Sequence, residues 1–421
     1  MTLHLSEIDR SYLDGEFGPG PRMAMRIIVR MAEVLGAEGL MDISQAHIDS
    51  TIYLGEAGLE FAERLAGYNV KVKVPTTLNV SAVDEHGWQE WDVPGDWADK
   101  ARRQMIAYQG MGCIPTWTCA PYQTEHAPVF GQQIAWGESN AIVFANSVIG
   151  ARTERYPDLL DICAAITGRV PAVGLHLTEN RAGSVLVRLI DIPLRLQSDD
   201  SFYPVLGHAL GKAAGERVPV IEGMEIRPHE DQLKALGAAA ASSGSVALFH
   251  IVGITPEAPT LEAAFQGREP LRAIEVTLAD LRAARSELTS AAGDELDMVV
   301  LGSPHFSVAE FQRLAPFLSG RRRHPRVELL VTTSRAMAAL ADKAGLLAPF
   351  RAFGGRLTVD TCILASPMLP PEIQRLMTNS AKYAYYAPGL LKTQIVFGST
   401  QDCVESAVEG RVVRDESLWQ E

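Results

Sequence analysis

The chain has 421 residues, a formal net charge of -13 and 47% hydrophobic residues, enough apolar material for the cores of roughly two to three domains. The acidity excludes a nucleic-acid partner, which would demand clustered Lys and Arg, and the one basic run, Arg321-Arg-Arg-His324, reads as a solvated loop. Five scattered cysteines are no secreted disulfide framework, and no stretch reaches roughly 18 uninterrupted apolar residues, so the expectation is a cytoplasmic protein with no membrane contact.

In chain order, 6–14 reads as a short helix capped by Ser6 with Asp9 at the capping-box position. A stronger helix follows, with Ile27, Ile28, Met31, Val34 and Leu35 on one face. A short strand at 39–43 runs into a polar loop, 44–51, and a strand is expected over 70–78, ending at Asn79. The loop Gly110-Met-Gly-Cys-Ile-Pro-Thr-Trp-Thr-Cys-Ala-Pro-Tyr122 carries Cys113 and Cys119 between Gly and Pro breakers, a rigid turn with little packing reason to hold a thiol. Glu138, Ser139 and Asn140 then stand at a helix start, as a cap or an anion site.

Helix 158–167 holds Cys163 among Leu, Ile and Ala, a core position. Strands at 170–177, 185–190, 218–221 and 245–251 alternate with helices at 201–215 and 229–241, the pattern of an α/β chain. The segment 255–295 is charged and reads as a helical outer layer. Strands at 296–301, 327–333, 357–364 and 393–397 follow, each opening into a polar loop, where an α/β fold collects ligand contacts. The expected division is 1–220 and 221–421.

Phosphate-loop, nucleophile-elbow, zinc-helix and dinucleotide signatures are absent. What remains is Cys119, Cys362 and Cys403, each in a polar loop at or near a strand end. No Cys-x-x-Cys pair supports zinc, and an iron-sulfur cluster held from distant loops suits the spacing better, with nucleophilic or spectator thiols left open. A cluster iron with an open position would act as a Lewis acid on a hydroxyl.

Cys119-Ala-Pro-Tyr122, Gly137-Glu-Ser-Asn-Ala141 with Asn146-Ser147, Gly302-Ser-Pro-His-Phe-Ser307, Asp360-Thr-Cys362 and Asn379-Ser-Ala-Lys382 together resemble the aconitase X family over nearly the whole chain. The resemblance implies an aconitase-like, multi-layer α/β fold and an iron-sulfur hydro-lyase. Bacterial members mostly dehydrate cis-3-hydroxy-L-proline, and archaeal ones phosphomevalonate. It implies Cys119 and Cys362 as cluster ligands. Where the archaeal pattern has a third cysteine this chain has Ser303, which favours 2Fe-2S over 3Fe-4S or 4Fe-4S, with Ser303 or, second, Cys403 completing the shell. Asp49, Ser50, Thr51, Asn79, Glu138, Ser139 and Lys382 resemble substrate-contacting positions. For the base, the aconitase analogy suggests a serine, Ser50 or Ser139, with Glu138 and His305 as alternatives. The family's small swivelling domain is expected as a separate subunit. A cluster-free binding or regulatory subunit is the non-enzymatic alternative.

Overall fold

The computed structural model describes residues 3–420. Four sheets organise the described residues. A three-stranded parallel sheet has Ala46–Ile48 at its centre, flanked by Thr76–Leu78 and Ala135–Trp136. Leu40–Asp42 pairs antiparallel with Arg169–Pro171. A four-stranded parallel sheet runs His250–Ile251, Pro219–Glu222, Val185–Leu189, Arg272–Val276. A five-stranded parallel sheet runs Arg356–Val359, Glu328–Thr333, Met298–Leu301, Arg375–Thr378, Gln394–Phe397.

Parallel strands covered on both faces should be largely apolar, and the central strand Met298–Leu301 of the five-stranded sheet is wholly so. Met298, Val300 and Leu330 face the large core, while Val299, Leu301, Leu329 and Val331 face a second core under the helices Val308–Leu318 and Thr400–Glu409. Cys403 sits in that second core, fully buried beside Val404 and Ala407. It is therefore packing, which corrects its expected place as a cluster ligand.

Other expectations also shift. The strand expected over 70–78 shrinks to Thr76–Leu78, because Pro75 has no N–H and the preceding amides scatter, Val72 to the Met111 carbonyl and Lys73 to that of Ala165. The loop expected at 44–51 contains the central strand Ala46–Ile48 instead. The helical layer expected at 255–295 contains the edge strand Arg272–Val276, whose charged residues face outward. The division expected after residue 220 falls inside Pro219–Glu222, a strand bonded to neighbours on both sides, so the sheets do not part there. Gly207 and Gly211 serve helix contact: a Cβ at Gly207 would stand 2.2 Å from the Leu236 carbonyl oxygen and one at Gly211 2.6 Å from that of Ala240.

The N-terminal helix Glu7–Asp14 forms the expected capping box and is pinned by a buried ion pair. Arg169 Nε donates to Asp9 Oδ1 at 2.9 Å and a second guanidinium nitrogen to Oδ2 at 3.1 Å, while Arg169 also reaches Asp42 and the Leu40 carbonyl. Burial works against the Asp9 charge, but bonds from Ser6 and Arg169 hold its carboxyl below the usual range. Its contribution to stability is thus complete above the unfolded carboxylate pKa of about 3.9 and is lost as pH falls through the lower folded value. Asp9→Ala strands a buried guanidinium and should lower unfolding free energy by about 3 kcal/mol at neutral pH, with the deficit shrinking in acid, as read by urea melts across pH.

Candidate active site

Each parallel sheet directs the carboxyl ends of its strands into loops, and the three-stranded and five-stranded sheets bring theirs together. From the first come Asp49, Asn79 and Glu138; from the second, Ser303 and His305, Cys362, and Lys382. Both cysteines follow a strained backbone position. Trp117 (φ 41°) precedes Cys119 by two residues, and Asp360 (φ 62°) precedes Cys362 by two. A left-handed non-glycine residue costs about 1 kcal/mol or more, so the surrounding fold must enforce these turns. It does so by backbone bonds: Thr118 N–H donates to the Leu78 carbonyl at 3.2 Å and Ser81 N–H to that of Asp360 at 2.7 Å.

The centre of the site is the ion pair of Lys382 with Glu138, Nζ to Oε1 at 2.6 Å. Glu138 caps the helix Ser139–Phe144, its Oε1 accepting from the Asn140 backbone at 3.1 Å and side chain at 2.8 Å and from Ser139 Oγ at 3.1 Å. Its Oε2 faces Asn79 Nδ2 at 3.4 Å. Burial alone would raise the Glu138 carboxyl, but Lys382 and the Asn140 donors outweigh it and bring it down to about 2. Burial likewise opposes the Lys382 charge, and Glu138 followed by Cys119 raises it nonetheless. Both groups are charged at neutral pH.

Cys119 and Cys362 lie close enough to feel one another and Lys382. Burial pushes the Cys119 thiol up to about 12, while Lys382 and the His305 N–H, which donates to Sγ at 3.2 Å, favour the thiolate. Burial also raises Cys362, against Lys382 and the backbone N–H groups of Leu364 and Ala365. Ser303 is in the same loop as His305, and its carbonyl accepts from Ser380 Oγ.

His305 ties the loops together. Its Nε2 donates to the Thr361 carbonyl at 3.0 Å, so Nδ1 is the acceptor for Thr118 Oγ1 at 3.2 Å. Burial holds the ring down to about 4, hence neutral. With both nitrogens engaged next to the two cysteines, the ring positions them rather than moving protons.

Thr51 donates to the Val80 carbonyl at 3.0 Å and is fully buried, so it holds the loop instead of presenting a hydroxyl. Ser50 Oγ donates to Asp161 Oδ1 at 2.9 Å and lies 2.8 Å from the Tyr108 hydroxyl. Asp161 Oδ2 accepts the backbone N–H of Asp49 at 2.6 Å and of Ser50 at 3.1 Å. Burial pushes Asp161 up to about 6 against these donors. Asp161 carried no signal in the sequence beyond a helix start, and Tyr108 carried none. Asn140, which also donates to the Cys119 carbonyl at 2.9 Å, was visible only as part of a cap.

An α/β protein with a lysine–glutamate pair and two thiols at the carboxyl edges of two sheets is the class these features define. The chain belongs to the aconitase X family: 2–179 match the aconitase X first domain, 183–286 the second and 296–409 the third. It is 49% identical to a cis-3-hydroxy-L-proline dehydratase of Pseudomonas aeruginosa, covering 99% of this chain and 72% of that one. It is 38% identical to the phosphomevalonate dehydratase large subunit of Methanothermobacter thermautotrophicus, covering 94% of this chain and 96% of that one. The crystal structure of Thermococcus kodakaraensis aconitase X in its holo-form matches with a TM-score of 0.86 and 32% identity over 96% of this chain and all of that one. The aconitase-like α/β fold expected from the sequence is thus found. Among the described residues no helix is long and apolar enough to cross a membrane.

If His305 is the tie between the cysteine loops, His305→Ala loses two buried hydrogen bonds and should destabilise the protein by about 2 kcal/mol in denaturant melts. A change below about 0.5 kcal/mol would contradict that role.

Proposed function

We propose that this protein is a hydro-lyase that dehydrates cis-3-hydroxy-L-proline, the enamine product tautomerising to 1-pyrroline-2-carboxylate. The observation that carries the substrate is the charge of the site. Asp49 is surrounded by Glu138, Asp158 and Asp161, and among the described residues the cation beside them, Lys382, is already paired with Glu138. Such a site suits an amino acid that brings its own ammonium and repels a phosphorylated hydroxy acid. The 49% identity to a named hydroxyproline dehydratase supports the same choice.

The donor set is compatible with an iron-sulfur cluster held by Cys119 and Cys362. Burial disfavours their thiolates, and a bound cation would relieve that penalty, while the N–H group of His305 already faces the Cys119 sulfur. Among the described residues no three His, Cys, Asp or Glu side chains form a complete metal shell. Two cysteines with Ser303 suit 2Fe-2S better than a larger cluster. When bound, the cluster would supply a Lewis acid for the departing hydroxyl.

The residues of the chain do the rest. An ammonium has three donors, so Lys382 keeps Glu138 and still offers N–H groups to the substrate carboxylate. In the cis substrate the C2 hydrogen and C3 hydroxyl lie on opposite faces, and elimination is anti. Of the four candidate bases, Glu138 is held too acidic, His305 has both nitrogens engaged and Ser139 donates to Glu138. Ser50 remains, its hydroxyl donating to a carboxylate that titrates near neutrality. As Ser50 Oγ takes the C2 proton, its own proton passes to Asp161 and the C–H electrons form the double bond that expels hydroxide. A small subunit would complete the site, as the large-subunit names of the archaeal relatives suggest.

Purified anaerobically with that subunit, the protein should convert cis-3-hydroxy-L-proline and leave phosphomevalonate untouched, and the reverse would overturn the reading. Because Asp161 must be ionised to receive the proton, kcat/KM should fall as pH drops through about 6, and Asp161→Asn should lower it at every pH.

A further inference from the structure

We propose that Lys234 is a positioning residue for the site: by holding the His305 carbonyl from the second domain, it sets the His305 N–H against the sulfur of Cys119. The consequence for a cluster at Cys119 rests on the reading of the protein as an iron-sulfur hydro-lyase, whereas the placement of the loop does not.

Lys234 lies on the helix Glu230–Gly244 and is 3% exposed. A lysine beside Leu233, Leu236 and Gly237 on a buried helix face carries a desolvation cost that its partners have to offset. An ammonium has three donors, and Lys234 Nζ has three acceptors. It meets Asp231 Oδ1 at 3.1 Å, the Glu310 carboxyl, and the His305 carbonyl at 3.3 Å. Burial opposes the charge, and Glu310 and then Asp231 outweigh it. Burial raises the Glu310 carboxyl, while Lys234 and Arg313 bring Asp231 down to about 2 against burial, so Asp231 is the fixed anion of the group.

The two carboxyl groups extend the grip along the loop. Glu310 Oε2 accepts the Ser307 N–H at 2.7 Å, and Asp231 Oδ2 accepts from Ser307 Oγ at 3.0 Å and from Arg313 at 2.6 Å. On its other edge His305 gives its N–H to Cys119 Sγ at 3.2 Å. One residue thus carries an ammonium on its carbonyl and a thiol sulfur on its N–H. Cys119, Lys234 and His305 belong to the first, second and third domains in turn, so the contact is made only when all three are docked. Gln123 of the first domain reaches the same carbonyl at 3.4 Å, a weaker contact. An N–H donated to a thiolate ligand draws charge from the sulfur and raises the reduction potential of the cluster it holds. With its three donors committed, Lys234 has none for a substrate, which separates its role from that of Lys382.

The test compares wild-type protein with Lys234→Met, Lys234→Arg and the double variant Lys234→Met/Glu310→Gln, which removes the buried ion pair as a unit and keeps an acceptor for the Ser307 N–H. Amide hydrogen exchange is read first, on metal-free protein. Residues 302–307 should exchange about tenfold faster in Lys234→Met and in the double variant, with the helix Glu230–Gly244 as protected as in wild type, and Lys234→Arg should restore most of the protection. In the complete enzyme isolated without oxygen, both Met variants should show a lower midpoint potential and a lower kcat, with KM within about twofold of wild type. Should Lys234→Met not fold, the double variant decides alone. Wild-type exchange at 302–307 in the Met variants that fold, or a loosening that the double variant abolishes or that spreads over the whole helix, overturns the assignment. Wild-type protein that holds no iron would instead overturn the functional reading, and the exchange result on metal-free protein would still decide the role of Lys234.

Discussion

The buried contact between Lys382 and Glu138 is the constraint on which the site depends. Each residue caps or follows a strand of a different sheet, so the pair forms only when the two carboxyl edges face each other. Removing either partner alone would leave the other as an uncompensated buried charge, at a cost of about 3–5 kcal/mol. The same ammonium sets the electrostatic tone for both cysteines, favouring thiolates that burial would otherwise suppress. Fold closure and site chemistry thus share one interaction.

Around that pair the polar groups are arranged to hold loops rather than to titrate. His305 is neutral and bonded on both sides, and Thr51 is spent on a carbonyl. Reactive groups in a site of this kind must be fixed by residues that do not themselves react. Among the described residues the groups left with unmet capacity are the spare donors of Lys382 and the oxygen of Asn79.

Much of this was legible in the sequence, and the reasons differ by element. Four strands of the five-stranded sheet announce themselves by their buried apolar residues, so the loops bearing Ser303 and Cys362 could be placed at strand ends, whereas the short strand Arg375–Thr378 before Lys382 was not read. The central strand Ala46–Ile48 hid because His47 is a core histidine, bonded through Nδ1 to Thr77 at 2.8 Å, and because Gln45 and Ser44 beside it read as loop. Arg272–Val276 hid because an exposed edge strand carries the charges of a surface helix. Cys403 looked like a ligand from its neighbours Ser399 and Asp402, which are in fact the capping box of a helix whose inner face holds the thiol. Nothing local distinguishes Asp161, whose importance comes from contacts made more than 100 residues away.

On the proposed reading, Cys119 and Cys362 hold an iron-sulfur cluster beside Lys382. The most direct measurement is iron and acid-labile sulfide content, with a visible spectrum, of the protein and of Cys119→Ala, both isolated without oxygen together with the proposed small subunit. About two irons per chain are expected in the wild-type protein, with loss of iron and colour in the variant. A colourless, iron-free wild-type protein, or a Cys119→Ala variant that keeps its iron, would contradict it.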